Sequence, residues 1–257
     1  MTIQSVLRAA NILSLFKTHN PEMGITEIAS RVGLNKATAW GLVTTLMEAG
    51  LLTQSFDSRK YRLGSLCYDL GMIFTSTLEI NRLGMEPIHR LANQVKIAAR
   101  LGIWDQSTVL ITMVAMAHSQ QSETRQIGPR VHAYCTAIGK AILAFLDPTL
   151  LNQYLQNTPL ERLTDHTIID PQRLAYDLEL VRKNGYSVGN QEFVLYGAGI
   201  GAPVFDSTGK IAGAISIHGD VDNILKDNFA ELAKAVRNTA AEISSRMGYS
   251  FIGRKMT

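Results

Sequence analysis

The sequence predicts an α+β chain in two parts: a winged helix-turn-helix over residues 1–65 and a helix-flanked mixed sheet over 86–257, joined by a linker helix at 66–85. Three observations carry this reading. Apolar residues recur at three- and four-residue intervals in three short blocks within the first fifty residues, each closed by turn-forming residues. Two short strand-like runs follow at once, around a basic turn. From about residue 86 helix-spaced and strand-like segments alternate, as a layered α+β domain requires.

Taken in order, Ile3, Val6, Leu7, Ala10, Leu13 and Phe16 mark one face of a first helix, which Asn20-Pro21 and Gly24 interrupt. Thr26, ahead of Glu27-Ile28-Ala29, is a candidate N-cap because its hydroxyl can accept from an unpaired backbone amide. Gly33 supplies the left-handed turn between the second helix and a third that begins at Asn35. That third helix carries Ala39, Leu42, Val43, Leu46 and Met47 on its inner side and stops at Ala49-Gly50. Leu51–Gln54 and Tyr61–Leu63 then read as two strands around Asp57-Ser58-Arg59-Lys60, with both cations at the tip. A basic hairpin after a helix-turn-helix is a wing, placed to reach phosphates.

Leu66, Leu70, Ile73 and Leu78 continue in helical spacing, an apolar stripe fit for pairing with a second copy. Beyond it, Ile88–Val95 reads as helix, and Ala99–Trp104 and Thr108–Ala117 as strands. Ile127–His132 reads as a loop opening a helix at Ile138–Leu146, and Leu174–Asn184 as a helix closed by Gly185. Tyr186–Val188, Ile200–Phe205 and Ile211–His218 read as strands, the last two joined by the turn at Asp206–Lys210. Phe229, Leu232, Val236, Ala240, Ile243 and Met247 mark a final helix.

Charge supports the division. Residues 1–65 hold seven basic and four acidic side chains, whereas the remaining 18 basic and 18 acidic residues cancel. The whole excess of +3 therefore sits in the first quarter, as in a nucleic-acid-binding module joined to a neutral one. No apolar run approaches the roughly 18 residues of a membrane span, and the start lacks the pattern of a secretory signal. Cys67 and Cys135 fit no metal or redox spacing and read as reduced thiols, and with these features the chain reads as cytoplasmic. The six histidines show no metal spacing, and no Gly-x-Ser-x-Gly elbow occurs. Gly197-Ala-Gly199-Ile-Gly201 is no dinucleotide loop, because Pro203 and an apolar strand follow it; close backbone approach or a bulge explains these glycines better. Lys140 is read as a surface or salt-bridged lysine in preference to a catalytic amine. The expectation is a non-enzyme without metal or cofactor.

Several segments together resemble the IclR family of bacterial transcription factors. They are Ser5–Leu13, Ile25–Ala29, Val32–Trp40, Glu48–Leu52 and Tyr61–Gly64 in the first part. In the second they are Gly128, His132-Ala133, Ala137–Leu143, Gly185–Val188, Glu192, Ala202–Asp206 and Gly213–Ile217. The resemblance covers nearly the whole chain. It implies a GAF-like effector domain, a homodimer or homotetramer (dimer of dimers), and a small-molecule effector such as an organic, sugar or aromatic acid. It also implies operator binding by the helix from Asn35, with repression of a catabolic operon as the default outcome. The implied DNA-contacting residues are Thr26, Asn35, Lys36, Thr38, Trp40, Thr44, Arg59 and Lys60. Trp40 has a second reading, packing beneath its helix.

The resemblance further implies a pocket between the sheet and the loop opening the Ile138 helix. Ala137, Ile138 and Gly139 are candidates to hold a carboxylate through backbone amides. Ser216 and His218, two apart on a strand, face one side; Asn190 and Glu192 are candidate hydroxyl readers, and His132 joins the set. Family members often carry arginine where this chain has Gly41, an acid where it has Gly189 and cysteine where it has Gly199. The last two departures imply a wall with fewer polar groups and more room. Two other readings stay open for the second part: a scaffold that no longer senses, and an enzyme acting on a small carboxylate.

Overall fold

The helical spacing near the N-terminus closes into a small core in the computed structural model, which describes residues 2–117 and 128–250. Helices α1 (Gln4–Leu13), α2 (Ile25–Arg31) and α3 (Lys36–Glu48) bury Ile12, Phe16, Ile28, Val43 and Leu46 together with Met23. Leu52 of β1 (Leu52–Gln54) and Tyr61 of β2 (Tyr61–Leu63) close this core, and the two strands pair antiparallel as the wing. Gly33 takes φ +66°, the left-handed conformation that lets the chain turn from α2 into α3. Two expectations need correction. Gly24, not Thr26, is the N-cap of α2, and no side chain caps that helix, so Thr26 lies inside the first turn, exposed. Ile3, Val6, Leu7 and Ala10 face outward, because α1 turns Ile12 inward and only half-buries Ala9 and Leu13.

Residues 66–85 form two helices, not one. Helix α4 (Ser65–Thr77) ends before Leu78, whose extended backbone starts α5 (Glu79–Val95). The compact units divide at that break, Met1–Thr77 and Leu78–Thr257. No residue of α4 is buried; Tyr68, Leu70, Met72, Ile73 and Phe74 are all exposed.

The second unit is built on six strands: β3 (Ala99–Asp105), β4 (Thr108–Ala115), β5 (Arg130–His132), β6 (Ser187–Asn190), β7 (Gly197–Phe205) and β8 (Ile211–Asp220). Their order is β5-β4-β3-β8-β7-β6, and every described pairing is antiparallel, which corrects the expectation of a mixed sheet. The segment expected as a loop before the first inner helix contains β5, held because Val131 pairs with Val109; Ile127 lies outside the described residues. The glycine run at 197–201 is strand, not bulge.

Period-2 alternation gives the sheet two faces of different chemistry. Ala99, Leu101, Ile200, Ala202, Ile215 and Ile217 point to one face and pack with α5 and α10 (Phe229–Arg246) in a continuous aliphatic core. Arg100, Ser216 and His218 alternate with them, on the face that Ala214 shares with α6 (Ala137–Leu143). Behind α6 lie α7 (Pro148–Asn157) and α8 (Pro171–Asn184), and the short α9 (Val221–Leu225) follows β8. Sequence spacing alone overlooked α7. Its signal is local: Asp147 accepts from the Thr149 amide at 2.9 Å, and Pro148 opens the helix with the φ a first turn needs.

Candidate ligand pocket and nucleic-acid interface

Helix α6 reaches the sheet because side chains are missing beneath it. A Cβ on Gly201 would stand 2.6 Å from the Ala137 carbonyl oxygen, and one on Gly189 would stand 3.1 Å from the Ala137 nitrogen. On Gly199, a Cβ would come within 2.9 Å of the Ile217 carbonyl oxygen. Ser187 then ties the approach by donating its hydroxyl to the Ala137 carbonyl at 2.5 Å. Gly189 and Gly199 therefore do not add room, as expected from their size; they let two backbones close on each other. Thr136 caps α6, accepting from the Gly139 amide at 3.3 Å, and donates its own hydroxyl to the His132 carbonyl at 2.6 Å.

A cavity opens between this helix, the sheet and the segment after β6. Seven of the ten expected residues line it: Ala137, Ile138, Gly189, Glu192, Gly199, Ser216 and His218. The other three do not. Gly139 presses its Cα against Ala133, where a Cβ would meet backbone at 2.3 Å, and its amide is taken by Thr136. Asn190 is exposed at the end of β6, and exposed His132 packs its ring over Tyr134 and Phe193. Sequence reasoning missed Arg100, Cys135, Thr136, Gln191, Phe193 and Val194, all of which line the cavity. For Arg100 a signal existed: it is a cation inside a run, Ala99–Trp104, that otherwise reads as a buried strand.

Glu192 is built into its place. Its main-chain carbonyl accepts from the Thr167 hydroxyl at 2.7 Å, and that of neighbouring Gln191 accepts from Thr164 at 2.7 Å. Its carboxylate pairs with Lys140 at 2.7 Å, while Asp177 stands 2.8 Å from the same ammonium. Lys140 is 1% exposed, so this is a buried ion network and not a surface lysine. Burial raises the Glu192 carboxyl above its ordinary range, while Lys140 works against that shift.

Arg100 projects from β3 opposite Ser216 and is 8% exposed. Its Nη2 lies 3.2 Å from His218 Nε2. Burial pulls the guanidinium down to about 10, which leaves it cationic at neutral pH. Burial, and then the Arg100 charge, push the His218 ring down to about 4. The imidazole is therefore neutral at pH 7, with Nε2 as the acceptor from Arg100. Cys135, pushed up to about 12 by burial, is a closed thiol and no nucleophile at neutral pH.

In the first unit, Lys36, Trp40 and Thr44 recur every four residues along one face of α3, away from buried Ala39, Val43 and Leu46. Trp40 is 58% exposed, which decides between its two readings against packing under the helix. Asn35 is the N-cap of α3, its side-chain oxygen accepting from the Thr38 amide at 2.8 Å. Arg59 and Lys60 are exposed at the wing, where the Arg59 carbonyl accepts from the Gln54 side chain at 2.8 Å. Thr26, at the start of α2, shares neither element.

Among the described residues no cluster of potential metal ligands occurs, and no helix is long and apolar enough to cross a membrane. Comparison with known proteins gives concordant results. Residues 5–55 match the IclR helix-turn-helix domain, and residues 73–245 match the bacterial transcriptional regulator IclR C-terminal domain. The chain is 28% identical to the HTH-type transcriptional regulator KipR of Bacillus subtilis, over 96% of this chain and 98% of that protein. It is 31% identical to the glycerol operon regulatory protein of Streptomyces griseus, over 96% and 97% of the two chains. The fold is shared with an IclR homolog from Microbacterium hydrocarbonoxydans solved with 4-hydroxybenzoate, at a TM-score of 0.82 and 21% identity over 95% and 98% of the two chains. With a winged helix-turn-helix, an antiparallel sensor sheet and family matches that together span most of its length, this chain belongs to the IclR family of bacterial transcriptional regulators.

Proposed function

We propose that the protein is a repressor whose affinity for its operator is set by a small carboxylic acid bound between α6 and the sheet. The observation that supports this most is the cavity itself, because its floor carries a nine-tenths-buried arginine and its walls are otherwise mainly apolar. A structural core has no use for that combination. In this reading α3 enters the major groove, with Lys36, Trp40, Thr38 and Thr44 toward DNA and the Asn35 amide at the entry of the helix. Arg59 and Lys60 contact the backbone from the wing. The exposed apolar side chains of α4, with Ile3, Val6 and Leu7 of α1, supply the pairing surface of a homodimer on a two-fold operator. The acid acts by binding one arrangement of the dimer more tightly than another. That the Microbacterium homolog was solved with an aromatic acid supports a carboxylate here.

The test is a gel-shift titration of the DNA upstream of the protein's own gene, with and without a panel of aromatic, aliphatic and sugar acids. Binding that one acid weakens severalfold supports the reading; binding that one acid strengthens would make the protein an activator or co-repressed. Lys36→Ala should weaken binding on every sequence and lower the salt slope by about one.

A further inference from the structure

Among the described residues, Arg100 is the only cation lining the cavity, and none of their carboxylates lies within ion-pair distance of it. The acid that lines the same cavity, Glu192, is already committed to Lys140 at 2.7 Å. The partner of Arg100 is a neutral imidazole, which accepts one of the five N–H groups and offers no charge in return. A desolvated guanidinium without a counter-ion is costly, because burial removes its hydration and nothing of opposite charge replaces it. Such a group is retained where an anion completes it, and a guanidinium fork suits the two oxygens of a carboxylate.

The remaining surface narrows the body of that anion. Ile111, Val131, Ile138, Phe193, Val194 and Ala198 present carbon to the cavity. Besides Arg100 and His218 its polar side chains are Thr136, Gln191, Glu192 and Ser216, of which Thr136 is held by His132 and Gly139 and one Glu192 oxygen by Lys140. A polyhydroxylated acid would lose hydration there at many hydroxyls and regain few hydrogen bonds. An aromatic or branched aliphatic body loses nothing polar and leaves water.

We infer that Arg100, positioned by His218, is the carboxylate anchor of this pocket, and that the pocket takes monocarboxylates with an apolar body in preference to sugar acids or neutral analogues. The inference rests on the effector-pocket reading above. His218 is a positioning residue in this scheme: it holds one edge of the guanidinium so that the other meets the ligand.

Isothermal titration of the full chain with benzoate, benzamide and gluconate separates the possibilities without DNA. Benzoate should bind, with benzamide and gluconate each weaker by roughly 30-fold or more. Arg100→Gln should remove benzoate binding by a similar factor, Arg100→Lys should restore part of it, and His218→Asn should weaken it about fivefold. Circular dichroism on each variant reports folding. Should Arg100→Gln not fold, the His218→Asn variant and the benzoate-to-benzamide ratio of the unmodified chain decide. Equal binding of benzoate and benzamide, unchanged binding in a folded Arg100→Gln, or preference for gluconate would each overturn the inference. A parallel DNA titration keeps the two levels apart. Gluconate shifting the DNA midpoint while benzoate does not would sink the anchor and leave the effector pocket standing.

Discussion

The two faces of the six-stranded sheet are made by the same strands and do different things. On the α5–α10 side Leu101, Ile200, Ile215 and Ile217 interdigitate with Ile88, Leu91, Val236 and Ile243, all fully buried or nearly so. One residue along, the α6 side carries Arg100, Ser216 and His218, and glycines where the other face has isoleucine and alanine. On the function proposed above, one strand of period 2 holds a stability code and a recognition code in alternate letters. Substitutions on the first face should be read in unfolding, and those on the second in ligand response.

The largest expected effect tests whether the second face has a structural centre of its own. Lys140→Met strands the buried Glu192 carboxylate and should cost about 3–5 kcal/mol in urea unfolding of the second unit. Adding Glu192→Gln to Lys140→Met should recover most of that loss, since Asp177 is partly exposed and can rehydrate. If the double variant is no more stable than the single one, the network is packed for reasons other than charge.

Next in size is the alternation itself. Ile217→Ala, on the aliphatic face, should cost about 2–4 kcal/mol and leave the affinity of any bound acid nearly unchanged once folding is corrected for. Its neighbour Ser216→Ala should cost less than about 1 kcal/mol and alter ligand affinity instead. Thermal melts with and without benzoate check both, and equal stability losses at the two positions would break the comparison.

The last effect is in pH. The His218 ring sits at about 4 in the folded chain, against roughly 6.5 when unfolded. As pH falls from about 6.5 toward 4 the unfolded chain takes up a proton that the folded one refuses, so stability is present above that window and is lost through it. Arg100 and Asp220 act on this ring in opposite directions, the first disfavouring and the second favouring its charge. Glu192 works the other way as a whole, its raised carboxyl adding stability at low pH that fades as pH rises. His218→Asn should flatten the loss between pH 6.5 and 4 in melts followed by circular dichroism.

Local signals made most of this architecture legible before the structure. Helical spacing located α3 and α10, and Gly33 marked the turn, because propensity and burial agree there. What escaped was set by tertiary context. Thr26 looks like a cap until Gly24 takes that position, and Ile3 and Val6 look like core until α1 rotates Ile12 inward. Strand direction is not written in strand spacing, so the antiparallel order needed the structure. The lining of the cavity was legible where the helix start or strand alternation pointed to it, at Ala137, Ser216 and His218, and not where the meaning of a residue depends on its partner. Arg100 is the instructive case: within its strand it looks misplaced, and only the adjoining His218 ring and the missing counter-ion give it a role in the proposed reading.

The most direct test of the account is the midpoint of operator binding, measured for the unmodified chain and for Arg100→Gln while an apolar-bodied acid such as benzoate is added. The account predicts that the acid moves the midpoint of the unmodified chain severalfold and leaves that of the variant where it was. Equal movement of both would show that the acid acts elsewhere, and would contradict the assignment of the sheet's second face to recognition.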